Sequence, residues 1–313
     1  MLIRQALSFR VHVKIERFFA AKEAESKMST LTSGDRVIHP NQLDWGLGKV
    51  LSATPDNLDV FFVGAGRKRL ARSFIKLEKA EGAASKHRLL DNLMEASTII
   101  GSDFVTIPMA IERFMENYPD GFSDPSFIKA TREANLRGHK FCAQLLSQEE
   151  LSRLVEEGCF EAVCDRARHV ELTANLLTKG ERKTLHEALE SPACQKLFSV
   201  ALADLLYGAE TEEARFKHFL RTLGILQLNK WPFATLFSFI RHPQQYAYIK
   251  PSAIQNAAKA LCWRINYKPE PNWKTYDAVL RLYSYVRTNL FEEGMMPRDL
   301  IDVQSFIWSV GQK

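Results

Sequence analysis

Long apolar runs are missing from this sequence. No stretch approaches the roughly 20 consecutive apolar residues that a membrane-spanning helix needs, so we predict no integral membrane segment. The five cysteines are odd in number and widely spaced, which favours reduced, mostly buried thiols in a cytoplasmic protein over a disulfide framework. Cys159 and Cys164 lie near His169, but they lack the short spacing and the second pair of a zinc site. We therefore predict no metal.

Catalytic motifs are missing as well. The chain has no P-loop, nucleophile elbow or recognisable triad, no internal repeat of solenoid period and no low-complexity run. Asp124, Glu133 and Lys140 follow the order of a magnesium nuclease, but their apparent helix is wrong for the strand that such sites need. We predict no catalytic residue and no cofactor.

The composition is that of an ordinary globular protein. Of its 313 residues, 46% are hydrophobic and 25% are charged, which leaves room for a small module and a larger body with its own core. The formal net charge of +5 is mild, so it permits an anionic partner without requiring one. The distribution of charge therefore matters more than its total.

Residues 34–78 read as a small β module. Glycine, proline, asparagine and aspartate divide this stretch into short runs rich in β-branched and aromatic residues, which is typical of strands joined by turns. These runs are 35–39, 45–51, 58–63 and 67–71. So small a sheet buries a core only by curling on itself, and its glycines supply the bends. The stretch predicts a small SH3-like or Tudor-like barrel.

The same stretch carries a family resemblance. His39-Pro40, the run 44–50 with its Trp45-Gly46-Leu47-Gly48 core, and the run 60–68 resemble a small bacterial domain of unknown function. That domain is similar to the Tudor-like modules at the ends of UvrD/PcrA-type helicases and in CarD-type transcription factors. The resemblance implies a module without catalysis that docks on RNA polymerase or contacts nucleic acid.

Cations and a tryptophan mark the module's candidate binding surface. Alternation along the strand sends Lys68 to one face and Arg67 and Arg69 to the other, so they cannot all share a surface. We expect Trp45 to be partly exposed because its glycine neighbours leave the ring uncovered; the alternative is a ring that fills the barrel. The cations could equally form a solvated edge that discourages strand pairing. The candidate partner-binding residues are Trp45, Lys49, Arg67, Lys68, Arg69 and Arg72.

The flanking regions differ in composition. Residues 1–33 form an N-terminal extension, interpreted as a basic amphipathic arm, a faintly transit-like segment or an overextended start before Met28. Residues 79–86 are rich in Glu, Lys, Ala, Gly and Ser, which is typical of a linker. From residue 87 to 313 the period changes from two to about 3.6, which predicts an all-helical domain. One predicted apolar helix face comprises Phe104, Ile107, Ile111, Phe114 and Met115.

The C-terminal part is rich in aromatic residues and proline. From residue 229 onward it resembles the ends of uncharacterised bacterial proteins, some associated with restriction-like or phage-defence neighbourhoods. Lysines and an arginine beside tryptophan could form a groove that stacks bases, or the aromatics could pack the last helices beneath the lysine stems. This second candidate surface comprises Lys250, Lys268, Trp273, Lys274 and Arg298. Asp299 and Asp302 either cap the terminal helix or form a metal pair.

These observations predict an α+β protein, with a small N-terminal SH3/Tudor-like β-barrel followed by a large all-α domain. The function expected is that of a non-catalytic adaptor that contacts nucleic acid or a machine such as RNA polymerase. One alternative is a phage-defence-associated nuclease or effector with its site in the helical part. Another is a protein-interaction scaffold.

Overall fold

A computed structural model describes residues 31–99 and 103–311 of the chain. Most of the predicted 1–33 extension therefore lies outside the described residues. The chain forms two compact units: the first runs to Thr106 and includes Lys259–Arg264, and the second comprises Ile107–Ala258 and Ile265–Lys313. The first contains a sheet and the second is helical, which confirms the α+β class. None of the helices in the described ranges has the length and hydrophobicity needed to cross a membrane.

The first unit is built on a five-stranded antiparallel sheet. Its spatial order is β4-β3-β2-β1-β5, so β4 and β5 are its edges. Among the described residues no ladder joins these edges, so the sheet is not closed and the predicted barrel is not confirmed. The strands are β1 (Arg36–Ile38), β2 (Leu47–Ala53), β3 (Asn57–Phe62), β4 (Gly66–Ala71) and β5 (Glu78–Lys79).

Alternation along the strands determines one face of the sheet. Side chains of this face form a fully buried cluster, and Leu31, Trp45, Ile75 and Leu77 pack against its margin. The period of two in the sequence sends these residues to one side, because successive side chains of a strand point to opposite faces. The buried cluster comprises Val37, Val50, Leu58, Val60, Phe62 and Leu70.

The predicted 79–86 linker begins inside the sheet. Lys79 pairs with Val37, and the backbone N–H of Ala80 donates to Arg36 O at 2.8 Å. Residues 80–87, which include the 3-10 turn Gly82–Ser85, separate this strand from the next helix. The two-residue strand β5 is too short to show an alternating pattern, which is why composition alone suggested a linker.

Residues 87–106 also belong to the sheet unit, although the sequence placed them in the helical domain. The short helices α1 (Arg88–Asp91) and α2 (Ala96–Ile99) lie in this segment. Backbone pairing fixes it to Lys259–Arg264: Leu93 bridges Trp263, and Met94 N–H donates to Cys262 O at 2.9 Å. Partners so distant in the chain give no local sequence signal.

The second unit is helical. Several of its helices start at side-chain caps; Ser147, for example, accepts a hydrogen bond from Glu150 N–H. A π-helical segment, Ile128–Arg132, joins two of the helices. The helices that follow α2 are α3 (Ile107–Asn117), α4 (Pro125–Phe127), α5 (Glu133–Leu145), α6 (Gln148–Glu156), α7 (Phe160–Ala174), α8 (Lys179–Ala188), α9 (Pro192–Tyr207), α10 (Glu212–Ile225), α11 (Trp231–Arg241), α12 (Pro251–Ala260), α13 (Trp273–Glu292) and α14 (Leu300–Val310).

Helices α5 and α7 pack closely because Gly138 lacks a side chain. A Cβ at Gly138 would lie 2.6 Å from Ala174 Cβ and 3.0 Å from its Cα. We expect Gly138→Ala to lower the free energy of unfolding by about 1–3 kcal/mol, the usual cost of overpacking a rigid contact. Urea denaturation followed by far-UV circular dichroism measures the change.

Gly180 in α8 is the matched control. Nothing lies within 4 Å of a Cβ built there, and the residue is exposed. Alanine has the higher helix propensity, so Gly180→Ala should leave stability unchanged or raise it by up to about 1 kcal/mol. Equal unfolding midpoints for Gly138→Ala and the wild type would show that the two helices can separate without cost.

Candidate functional site

Strand β4 carries the basic run at one edge of the sheet. It pairs with β3 from Asn57↔Ala71 to Phe62↔Gly66, and its other side meets no strand among the described residues. The strand starts at Gly66, whose φ of +67° is a conformation that L side chains rarely adopt. A Cβ there would also lie 3.1 Å from the Phe104 ring. Glycine therefore fixes where the basic strand begins.

Lys68 and Trp45 meet on one face of the sheet. The Lys68 Nζ lies 5.3 Å from the centroid of the Trp45 ring, within the range of a cation–π contact. The ring is half-buried between Phe62 and His39, each with its centroid 5.1 Å away. Trp45 lies in a 3-10 turn, Leu43–Trp45, rather than in a strand. The prediction of a partly exposed ring is confirmed.

Arg67 faces the opposite side, as alternation predicts. Its Nη2 forms an ion pair with Asp59 Oδ2 at 3.0 Å, across the β3–β4 ladder. This pair neutralises Arg67 within the sheet unit. Arg67 and Lys68 are neighbours in sequence but cannot contact a partner through the same face.

Lys49 also has a hydrogen-bond partner within the sheet unit. It lies on β2, and β3 separates it from the basic strand β4. Its Nζ donates to Leu90 O at 3.3 Å, and burial together with the charges of Arg36 and Arg264 lowers its pKa. Arg36 in turn pairs with Asp91 at 2.6 Å. Lys49 therefore hydrogen-bonds within the sheet unit rather than extending the β4 surface.

Four cations along β4 and the following segment have no carboxylate within ion-pair distance among the described residues: Lys68, Arg69, Arg72 and Lys76. Arg69 and Lys76 are exposed and Arg72 is half-buried. The Arg72 Nη2 donates to Leu31 O at 3.0 Å, an uncharged acceptor that leaves its charge uncompensated. These four residues are called the β4 cation row below.

Phe74 lies within this row, and the sequence analysis missed it. Its side chain is 90% exposed at the end of the 3-10 turn Arg72–Phe74, directly after β4. A sequence signal was available, because Ile75 and Leu77 are apolar and alternate with Phe74 and Lys76. If Ile75 and Leu77 point inward, Phe74 must point outward.

The second predicted surface is dispersed. Trp273 packs at 5.8 Å from Phe216, and Lys250 Nζ lies 5.4 Å from the Trp308 ring centroid. Lys268 and Lys274 are exposed. In the part of the chain that the structure describes, no hydrogen bond, ion pair or ring contact joins any two of the five residues Lys250, Lys268, Trp273, Lys274 and Arg298. The described contacts favour the packing interpretation over a base-stacking groove.

Arg298, Asp299 and Asp302 belong to a buried ion cluster. Arg132, the last residue of the π-helical segment, donates to Asp299 at 2.7 and 2.8 Å and to Asp302 at 2.9 Å. Arg298 donates to Asp302 at 2.8 Å. Asp299 also caps α14 by accepting from Ile301 and Asp302 N–H, which confirms the capping interpretation. Two arginines neutralise the two carboxylates, so nothing here resembles a metal pair.

The nuclease-like residues have local partners. Asp124 caps α4 through Ser126 and Phe127, while Glu133 pairs with Arg137 one turn along α5. Within residues 31–99 and 103–311, no group of three or more His, Cys, Asp or Glu side chains is arranged to hold a metal ion.

Burial raises the pKa of Cys164 to about 11, whereas Cys159 is exposed, so the two thiols differ in environment.

Comparison with known proteins adds one match. Residues 31–80 match a family described as a protein of unknown function, DUF3553. The match covers all five strands and ends at buried Ala80. It confirms the resemblance to a domain of unknown function for this part of the chain. No curated protein and no solved structure matches the chain.

Proposed function

We propose that the protein is a non-catalytic adaptor whose sheet unit contacts nucleic acid through the edge formed by β4. The observation that carries this proposal is the β4 cation row, in which Lys68, Arg69, Arg72 and Lys76 lack a carboxylate partner among the described residues. Arg67 of the same strand, and Arg36 and Lys79 elsewhere in the unit, are each paired with an aspartate. Among the described residues the row thus places four uncompensated positive charges at one edge of the sheet, which suits a polyanionic partner.

The resemblance to Tudor-like modules of helicases and transcription factors supports the same role, since those modules work without catalysis. In this proposal Lys68, which lies over the Trp45 ring, presents its charge on one face of the β4 edge. Arg69 presents its charge on the opposite face, and Arg72 follows the end of the strand, so the nucleic acid would contact both faces of this edge. Action in the cytoplasm fits five cysteines that are all free. Docking on a machine such as RNA polymerase is the alternative, in which the same edge meets a protein.

The test is salt-dependent binding of labelled DNA, followed by fluorescence anisotropy. We expect Lys68→Ala combined with Arg69→Ala to weaken binding at low salt and to reduce the slope of log K against log salt. The loss of two phosphate contacts should reduce the magnitude of that slope by about 1.4 to 1.8. Arg67→Ala should have a smaller effect, because Arg67 is already paired with Asp59.

The matched control removes the same charge from the helical unit. Arg113 and Arg221 are exposed and have no carboxylate partner within the described ranges, so their double change to alanine lowers the net charge equally. It should leave binding near the wild-type value. If both double variants behave alike, the attraction is non-specific. If the wild type does not bind DNA at all, the row is a solvated edge and the nucleic-acid proposal fails.

A further inference from the structure

Phe74 is the most exposed large hydrophobic side chain among the described residues, at 90%, followed by Ile225 at 67%. Burying a phenylalanine side chain stabilises a folded protein by about 1.5–3 kcal/mol, and an exposed ring does not contribute this free energy. A ring so placed contributes nothing to the core of the sheet unit. A binding role would explain its exposure.

The exposure of Phe74 is built into the fold. On one side of the turn, Arg72 N–H donates to Asp56 O at 2.9 Å, and the Arg72 guanidinium donates to Leu31 O at 3.0 Å. On the other side, Ile75 and Leu77 pack against the core of the sheet. With both flanks anchored, the backbone holds Phe74 at the surface, where its side chain is 90% exposed. A backbone that is ordered in advance loses less entropy on binding.

The charges around Phe74 indicate the chemistry of the ligand. Arg72 precedes it by two residues and Lys76 follows by two, while Arg69 lies on the adjoining strand. None of the three has a carboxylate partner within the described ranges. An aromatic face flanked by uncompensated cations matches a ligand that alternates flat bases with phosphates. A duplex keeps its base faces stacked inside, so a protruding ring cannot stack on them without unpairing the strands.

We propose that single-stranded nucleic acid is the ligand of the β4 edge, with one unpaired base stacked on Phe74 and the adjacent phosphates on Arg69, Arg72 and Lys76. This inference rests on the proposed function. It assigns base stacking to the Phe74 ring, an interaction that the cations alone do not provide. Stacking contributes to affinity for any base sequence, because every base has a π-face.

The experiment compares the full chain with Phe74 variants on a labelled single-stranded oligonucleotide and on a duplex of equal length. We expect the wild type to prefer the single strand, and Phe74→Leu to lose about ten-fold in affinity, within the range for one stacked base. Phe74→Tyr keeps an aromatic face and should retain the wild-type affinity. Because Phe74 carries no charge, Phe74→Leu should leave the salt slope unchanged, unlike the Lys68/Arg69 double variant.

Each outcome decides one point. Wild-type affinity for Phe74→Leu overturns stacking, and duplex binding as tight as single-strand binding overturns the single-strand assignment. In both of those cases the proposed function stands, because nucleic acid still binds. If neither DNA binds and RNA polymerase instead captures the wild type but not Phe74→Leu, the ring is a protein anchor. The inference and the proposed function then fail together. Since Phe74 is exposed, unchanged thermal unfolding of each variant verifies that the fold is intact.

Discussion

Replacing Arg132 with glutamine is expected to lower the free energy of unfolding by about 3–5 kcal/mol, the cost of breaking a buried ion pair. The side chains of Arg132 and Asp299 are 9% and 7% exposed, and that of Asp302 is completely buried. Without the guanidinium, Asp299 keeps only its capping bonds and Asp302 keeps its pair with Arg298. A buried carboxylate that has lost its counter-charge has been removed from water without compensation.

Arg137→Gln provides the comparison for this prediction. Arg137 lies in the helix that follows Arg132, but its pair with Glu133 spans 3.4 Å and both side chains are at least half exposed. Its loss should change the free energy of unfolding by no more than about 0.5 kcal/mol. Urea denaturation of both variants measures the difference. Equal destabilisation would contradict a structural role for the cluster and would indicate that water reaches it.

Phe114→Ala is expected to have an effect of similar size, about 3–5 kcal/mol of lost stability, because it empties the centre of an aromatic cluster. Phe114 is 1% exposed, and its ring centroid lies 5.1 to 5.6 Å from four others. Deletion of the ring removes both its burial and these edge and tilted contacts. The four neighbouring rings are those of Tyr118, Phe122, Phe127 and Phe306.

Met115 tests whether the effect depends on burial. The sequence placed Met115 on the same apolar face as Phe114, but its side chain is 39% exposed. Met115→Ala should therefore cost only about 0.5 kcal/mol, as surface substitutions usually do. Thermal and urea unfolding of both variants distinguish the cases. Comparable losses at the two positions would show that the helix buries the wider face that periodicity predicted.

The candidate site could be predicted in part. Alternation correctly separated Lys68 from Arg67, because side-chain direction in a strand is a local property. The sequence could not predict which cations have a partner, since the partners of Lys49 and Arg36 lie 41 and 55 residues away. Phe74 lies beyond the predicted strand 67–71, so the alternation of that strand did not extend to it.

The sequence by itself determined the local features of this protein. Four strands predicted at 35–39, 45–51, 58–63 and 67–71 are found at 36–38, 47–53, 57–62 and 66–71, and the predicted change to helices follows the sheet. These depend on side-chain alternation, turn residues and caps within a few residues of one another. Only the tertiary structure decided the rest. It joined Leu93 to Trp263, buried Arg132 against Asp299, and brought no carboxylate of the described residues within ion-pair distance of the β4 cation row. Such features depend on which distant segments meet when the core forms, and no local pattern in the chain records that choice.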